Sequence, residues 1–248
     1  MPPTAASAPA LPTPSPYEKK NLRTCPSFPV VWERKTRTRF GGRRKLRVIA
    51  GELKGQRLVA PRGWKVRPTS DRVREAIFSA IGEIAGARVL DLYCGTGALA
   101  IEALSRGAGE AVLVDRDTRL ALGNVERLGL GERAELVRSD VPRWLESQAV
   151  GAGDEPSPGN SRECGPGEGS SPALMPVGRF DLVFVDAPYK LADRVGQELN
   201  THLPRLLAEG GRAIVESGAR RPLRIDSLET LRQRRYGAAD VCFYGEPS

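Results

Sequence analysis

Two short stretches carry residues that an ordinary turn would not need. In "RFDLVFVDAPYK", residues 179–190, an apolar run stops at Asp186, Ala187, Pro188 and Tyr189. A carboxylate at that point can accept a hydrogen bond from an exocyclic amine and draw its delocalised lone pair back onto nitrogen. The Ala187 carbonyl, fixed by Pro188, can take the second amine hydrogen, and the Tyr189 ring offers a stacking face. A plain strand-end turn accounts for Pro188 but for neither Asp186 nor Tyr189.

In "VLDLYCGTGALAIEA", residues 89–103, Asp91 precedes Gly95-Thr96-Gly97. Glycines between a strand and a helix let backbone pass close to a ligand. The spacing also satisfies G-x-G-x-x-A from Gly95 to Ala100, and Asp115 lies 20 residues past Gly95, where a ribose-binding acid belongs. A nicotinamide dinucleotide therefore competes with S-adenosylmethionine on these features. Asp91 favours the second, because a carboxylate repels a pyrophosphate but welcomes an ammonium and a sulfonium. Asp115 would then hold the ribose hydroxyls, and Asp140 is placed to accept from the adenine amine. The structural alternatives are helix caps: Asp91 for the helix after the loop, Asp117 for the next, Asp140 for the helix at 141.

These residues need strand ends to stand on, and the pattern supplies them. Strands at "ARVLDLY", "EAVLVD", "AELVRSD", "FDLVFVD" and "GRAIVES" alternate with helices, the last helix covering 192–210. Such alternation predicts an α/β fold, a parallel sheet with helices on both faces. Two closing runs, 231–236 and 239–244, lie too close for a crossover and predict an antiparallel hairpin at the sheet edge. Before the sheet, residues 45–66 predict a small β-hairpin, "RVIAG" and "QRLVA" around Gly55. Val73, Ile77, Ala80 and Ile81 predict a helix within 67–82. The domain reading is a basic arm at 1–44, the hairpin at 45–66, and one domain at 67–248. A Gly/Ser/Pro/Glu-rich insertion at 147–178 interrupts that domain.

Net charge is +8, but residues 19–74 hold 18 Lys or Arg against 3 acids, a net of +15 that leaves −7 for the rest. That asymmetry suits a polyanion, and Trp32, Phe40 and Trp64 add stacking faces. Arg47, Lys54, Arg57, Arg67 and Arg72 are the candidate RNA-binding residues. Four cysteines at 25, 94, 164 and 242 have no metal or redox spacing, and His202 is the only histidine, so a metal site is not expected. No apolar run is long enough for a bilayer span. A cytoplasmic protein is expected, or an organellar one if the acid-free N-terminus is a transit peptide.

Taken in order, "RVIAGELKGQRLVAP", "RPTSDRVREAIF", "DLYCGTGALAIEALSRGA" and "FVDAPYK" resemble the RsmD family, bacterial methyltransferases of guanine N2 in small-subunit ribosomal RNA. "DAPY" is similar to the (D/N)PPY motif of amino-methyltransferases. The resemblance covers about 46–244 apart from the insertion, and the four motifs together are specific where each alone is weak. It implies a class I methyltransferase fold: a Rossmann-like, mostly parallel seven-stranded sheet. It also implies S-adenosylmethionine as donor and ribosomal RNA, in the small subunit or its assembly intermediate, as partner. Carried over by position, the cofactor loop falls on Asp91, Gly95 and Gly97, the second-strand acid on Asp115, and the catalytic tetrad on Asp186, Ala187, Pro188 and Tyr189. Thr69, with Arg67 and Arg72, would border the cofactor and the RNA. Ala187 departs from the family's usual proline. A DNA adenine-N6 methyltransferase and a non-catalytic RNA-binding assembly factor are the alternatives.

Overall fold

A computed structural model describes residues 46–60, 71–149, 179–187 and 192–246. They fall within one compact unit, Arg44–Ser248; a second unit, Met1–Arg43, lies outside the described residues, as does the interior of the 147–178 insertion.

The alternation read from the sequence folds into a single sheet. Its strands are β1 (Arg88–Leu92), β2 (Glu110–Asp115), β3 (Ala134–Arg138), β4 (Phe180–Asp186), β5 (Leu207–Gly218), β6 (Glu229–Tyr236) and β7 (Ala239–Gly245). The spatial order is β3-β2-β1-β4-β5-β7-β6. The first five run parallel, and β7 inserts antiparallel between β5 and β6. The expected terminal hairpin is present, with β6 forming the outer edge. Helices α1 (Asp71–Ile81), α2 (Ala98–Ser105), α3 (Arg119–Arg127), α4 (Val141–Ala149) and α5 (Ala192–Leu206) cover the faces.

Element ends differ from expectation in several places: β3, for one, stops at Arg138 and leaves Asp140 outside the strand, and two differences bear on the sheet's pairing. Helix α5 ends at Leu206 rather than at 210, because Leu207 pairs with Phe180 and starts β5 early. Gly210 then turns at φ 70°, and a register shift follows between Phe180 and Leu182. Strand β6 starts two residues early, at Glu229, and its register shifts between Thr230 and Arg232.

Each face buries its own cluster, since side chains alternate across a strand. Val89, Leu113, Leu182, Phe184, Ile214, Val241 and Phe243 meet α1, α2 and α3 on one face. Leu90, Val112, Val183, Val215, Cys242 and Tyr244 meet α4 and α5 on the other. In α1, Val73, Ile77 and Ile81 are buried as expected and Ala80 packs half-buried against the same core; Phe78 adds to the stripe, its ring 5.6 Å from that of Phe184. His202 is buried in α5, its Nε2 3.9 Å from Glu198. Cys94 and Cys242 are buried free thiols. Among the described residues, no helix is long and apolar enough to cross a membrane.

The N-terminal hairpin forms around one bridge, Arg47 to Arg57, with Gly55 at its turn. Leu46, Val48 and Leu58 join the first face's core, so the hairpin packs on α2 and α3.

Candidate active site

The loop after β1 is shaped by three residues with positive φ: Tyr93 at 62°, Gly95 at 53° and Gly97 at 74°. Each glycine has its own reason. A Cβ on Gly97 would stand 2.9 Å from Leu113 Cδ2 and 3.3 Å from Ala121 Cβ, so Gly97 lets α2 sit against β2 and α3. Among the described residues, a Cβ on Gly95 would meet only the Tyr93 carbonyl at 3.9 Å, so none of the others packs against the backbone there. That side is where a ligand can lie against the chain.

Around this loop stand three carboxylates at the carboxyl ends of three neighbouring strands. Asp91 pairs in register with Leu113 on β2 and Phe184 on β4. Asp115 and Asp186 each lie two residues beyond those partners, one pleat repeat higher, about 6.6 Å. Alternation puts all three on the α2 face, with Val89, Leu113 and Phe184.

Asp91 is the floor, only 1% exposed, and its Oδ2 accepts from the Ala100 amide at 3.1 Å. The helix cap considered for Asp91 is therefore real, made across the loop rather than within it. Burial, and then the nearby Asp186 and Asp115, push its pKa up to about 8. Accumulated negative charge around a buried carboxyl suits a cationic ligand. Asp115 is half-buried; its Oδ2 accepts from the Gly95 amide at 2.9 Å and its Oδ1 from the Asp117 amide at 3.0 Å. Both bonds hold the carboxylate in place, and an oxygen that accepts one amide hydrogen retains a lone pair for a hydroxyl.

Asp140 also splits its duties. Its carbonyl accepts from the Trp144 amide at 2.9 Å, opening α4, while its carboxylate takes Arg116 Nε at 2.7 Å. The Asp117 carboxylate accepts from the Arg119 amide at 3.2 Å and pairs with the Arg119 guanidinium at 2.6 Å, contacts that hold its pKa down to about 2. It caps α3 from outside.

The end of β4 supplies Asp186, half-buried, and Ala187, buried; Pro188 and Tyr189 lie outside the described residues, as do Thr69 and Arg67. Arg47, Lys54, Arg57 and Arg72 stand on the hairpin and the first turn of α1. Arg47 pairs with Asp71 at 3.5 Å; the sequence reading did not foresee that partner.

The sequence reading also missed the polar clamp that seats the hairpin. Glu102, 0% exposed, accepts from the Ile49 and Ala50 amides at 2.7 and 3.0 Å and from Arg106 Nε at 2.8 Å. Ser105 Oγ donates to the Ala50 carbonyl at 2.6 Å and accepts from the Leu53 amide at 3.0 Å. Asn124, also fully buried, holds both groups of Val59 and donates to the Thr96 carbonyl at 3.0 Å. Hairpin and glycine loop are thus tied to one amide side chain. The only hint in the sequence was polar residues on the apolar side of amphipathic helices. Arg74, 1% exposed, donates to the Arg47 carbonyl at 2.6 Å and to Asp71 at 3.0 Å, and burial lowers its pKa.

A glycine loop after β1, acids at the ends of β1, β2 and β4, and this strand order define a class I methyltransferase fold. Residues 46–154 match the family profile described as Conserved hypothetical protein 95. Over 210 residues the chain is 33% identical to a Bacillus subtilis protein provisionally named rRNA methyltransferase YlbH, covering 80% of this chain and 98% of that one. The chain belongs to the RsmD family. It is 37% identical over 108 residues to ribosomal RNA small subunit methyltransferase D of Escherichia coli, covering 42% of this chain and 54% of that one. The solved Escherichia coli protein yhhF, provisionally titled a methyltransferase, superposes with a TM-score of 0.60 at 26% identity. That match covers 81% of this chain and 97% of the other.

Proposed function

We propose that this chain methylates the exocyclic N2 of a guanine in small-subunit ribosomal RNA, with S-adenosylmethionine as donor. The observation that carries the reading is the row of Asp115, Asp91 and Asp186 on one face at the ends of neighbouring strands, with the backbone of Gly95 beside it.

The residues suit the donor. Asp91 and Asp186 would favour its positive charges, Asp115 its ribose hydroxyls, Asp140 its adenine amine and Gly95 its close approach, with Gly97 setting the loop against the sheet and Thr69 bordering the bound molecule. When bound, it supplies a methyl group made electrophilic by a sulfonium. Everything else falls to the chain. Asp186 and the Ala187 carbonyl accept the two hydrogens of the guanine amine, returning its lone pair to nitrogen and aiming it at the methyl. Tyr189 stacks the extruded base. As the carbon–nitrogen bond forms and the carbon–sulfur bond breaks, the nitrogen becomes acidic and sheds one proton to Asp186 or water. Proximity and amine hydrogen bonding are the main catalytic effects. Alanine at position 187 keeps the carbonyl and loses only a ring. Arg47, Lys54, Arg57, Arg67 and Arg72 hold RNA phosphates, in the cytoplasm where ribosomes assemble.

The test is incubation with methyl-labelled donor and undermethylated small ribosomal subunits, with duplex DNA in parallel, then nucleoside mass analysis. N2-methylguanosine from the subunits supports the reading. Label appearing in adenine of DNA, or in no nucleic acid, refutes it.

A further inference from the structure

The C-terminal quarter carries a second basic cluster that the charge of the N-terminal region hides. Residues 219–236 contain six arginines against Asp226 and Glu229, a net of +4 in a part of the chain that is otherwise acidic. Three of them, Arg232, Arg234 and Arg235, lie on β6, whose residues are exposed from Glu229 to Arg235.

Register decides where they point. The shift at Leu231 puts Arg232 opposite Phe243 and Arg234 opposite Val241. Phe243 and Val241 belong to the α1–α3 face, so both arginines stand on that face, which also bears the hairpin. Gly245 leaves room for the bulge: a Cβ there would come within 2.9 Å of Leu231 Cδ1. Without the extra residue the two arginines would project to the α4–α5 face.

The same pairings place Arg234 in one row with the end of β4. Arg234 pairs with Val241, Val241 with Glu216, and Glu216 with Asp186. Three strand spacings separate Arg234 from Asp186, about 14 Å, far less than the roughly 34 Å of one duplex turn. Neither Arg232 nor Arg234 takes part in the ion pairs found among the described residues. Edge strands do carry charges to block pairing with other chains, and lysine or glutamate serves for that. Consecutive outward guanidiniums on the face and in the row of the site fit phosphate better, since the guanidinium fork matches phosphate oxygens.

Building on the proposed RNA substrate, we infer that Arg232 and Arg234 on edge strand β6 form a docking track for the RNA backbone flanking the target nucleotide, on the sheet face that presents Asp186. Substrate would then span the site from the hairpin and α1 on one side to β6 on the other.

The experiment uses the full chain and a fluorescein-labelled RNA stem-loop, with anisotropy measured across a salt series. R232Q/R234Q should bind about tenfold more weakly, with the slope of log affinity against log salt reduced by about 1.5. R232K/R234K should keep most of the slope. R205Q, an exposed arginine on α5 across the sheet, should match the parent, and donor affinity should be the same in all four proteins. An R232Q/R234Q affinity within twofold of the parent, with an unchanged slope, overturns the inference even if the parent methylates ribosomal subunits. Conversely, loss of the slope in R232Q/R234Q upholds the track even if the parent transfers no methyl group, the result that would sink the proposed reaction instead.

Discussion

Asp186 stands one pleat above Asp91, on the adjacent parallel strand and the same face, and its charge helps to raise the Asp91 pKa. Two carboxylates in this relation, with Asp115 across β1, make a place that favours a cation. Most of the expected behaviour of the site follows from it.

Asp186→Ala should still bind S-adenosylmethionine, several-fold more weakly for the loss of one carboxylate facing the cation, and at saturating donor should transfer methyl groups at least ~100-fold more slowly, the usual scale for losing one group aimed at the reacting atoms. Calorimetry for the first and single-turnover labelling for the second decide it; unchanged turnover would remove Asp186 from the reaction.

Donor binding should release protons near neutral pH. The Asp91 carboxyl, with a pKa raised to about 8, is mostly protonated at pH 7 and must ionise beside a sulfonium or ammonium. Affinity should therefore climb with pH and level off above about 8. Calorimetry at pH 7 in buffers of different ionisation enthalpy should show nearly one proton released, and Asp91→Asn should abolish that release.

Asp91 also predicts a stability trend. Its pKa is raised in the folded state from 3.8 to about 8, so between those values the folded chain holds more protons than the unfolded one. Stability must then fall as pH rises from about 4 to about 8. Urea unfolding of the ligand-free protein should show that decline superimposed on other titrations, and Asp91→Asn should flatten the difference curve.

Glu102→Ala should cost about 2–3 kcal/mol, because it strands the half-buried Ile49 and Ala50 amides and takes the carboxylate from the half-buried Arg106 guanidinium. Glu102→Gln should cost less, since one acceptor oxygen remains. Chemical denaturation gives the magnitude, and hydrogen exchange at residues 46–58 should show the hairpin opening before the sheet.

Gly51→Ala should detach the same hairpin by a different route. A Cβ at this φ of 83° would fall 1.7 Å from the Ser105 carbonyl oxygen, and backbone cannot move aside as a side chain can. Exchange protection should drop at residues 48–59 while that of β1 and β4 stays.

Local signals explain why so much was readable beforehand. Asp91, Gly95, Gly97, Asp115 and Asp186 all sit at junctions where a strand's period of two gives way to a loop, and residue type at such a junction depends on neighbours in the chain. The strand–helix alternation was legible for the same reason, and so was the terminal hairpin, whose two runs are too close for any other connection. The early start of β5 was not legible, because what turns Leu207 from helix to strand is Phe180, far away in sequence.

The sequence alone determined which acids and glycines stand at the carboxyl ends of which strands, because those choices are made within a few residues of backbone. Tertiary structure decided what the polar side chains on the helices were for. Glu102, Ser105 and Asn124 look like ordinary surface choices until the hairpin's unpaired amides are packed against them, some 50 to 65 residues away in the chain. It also decided that Arg232 and Arg234 of β6 face the same way as Asp186, through one extra residue at Leu231. A side chain's direction on a strand is inherited from the pairing, and pairing is a relation between distant segments that no local pattern contains.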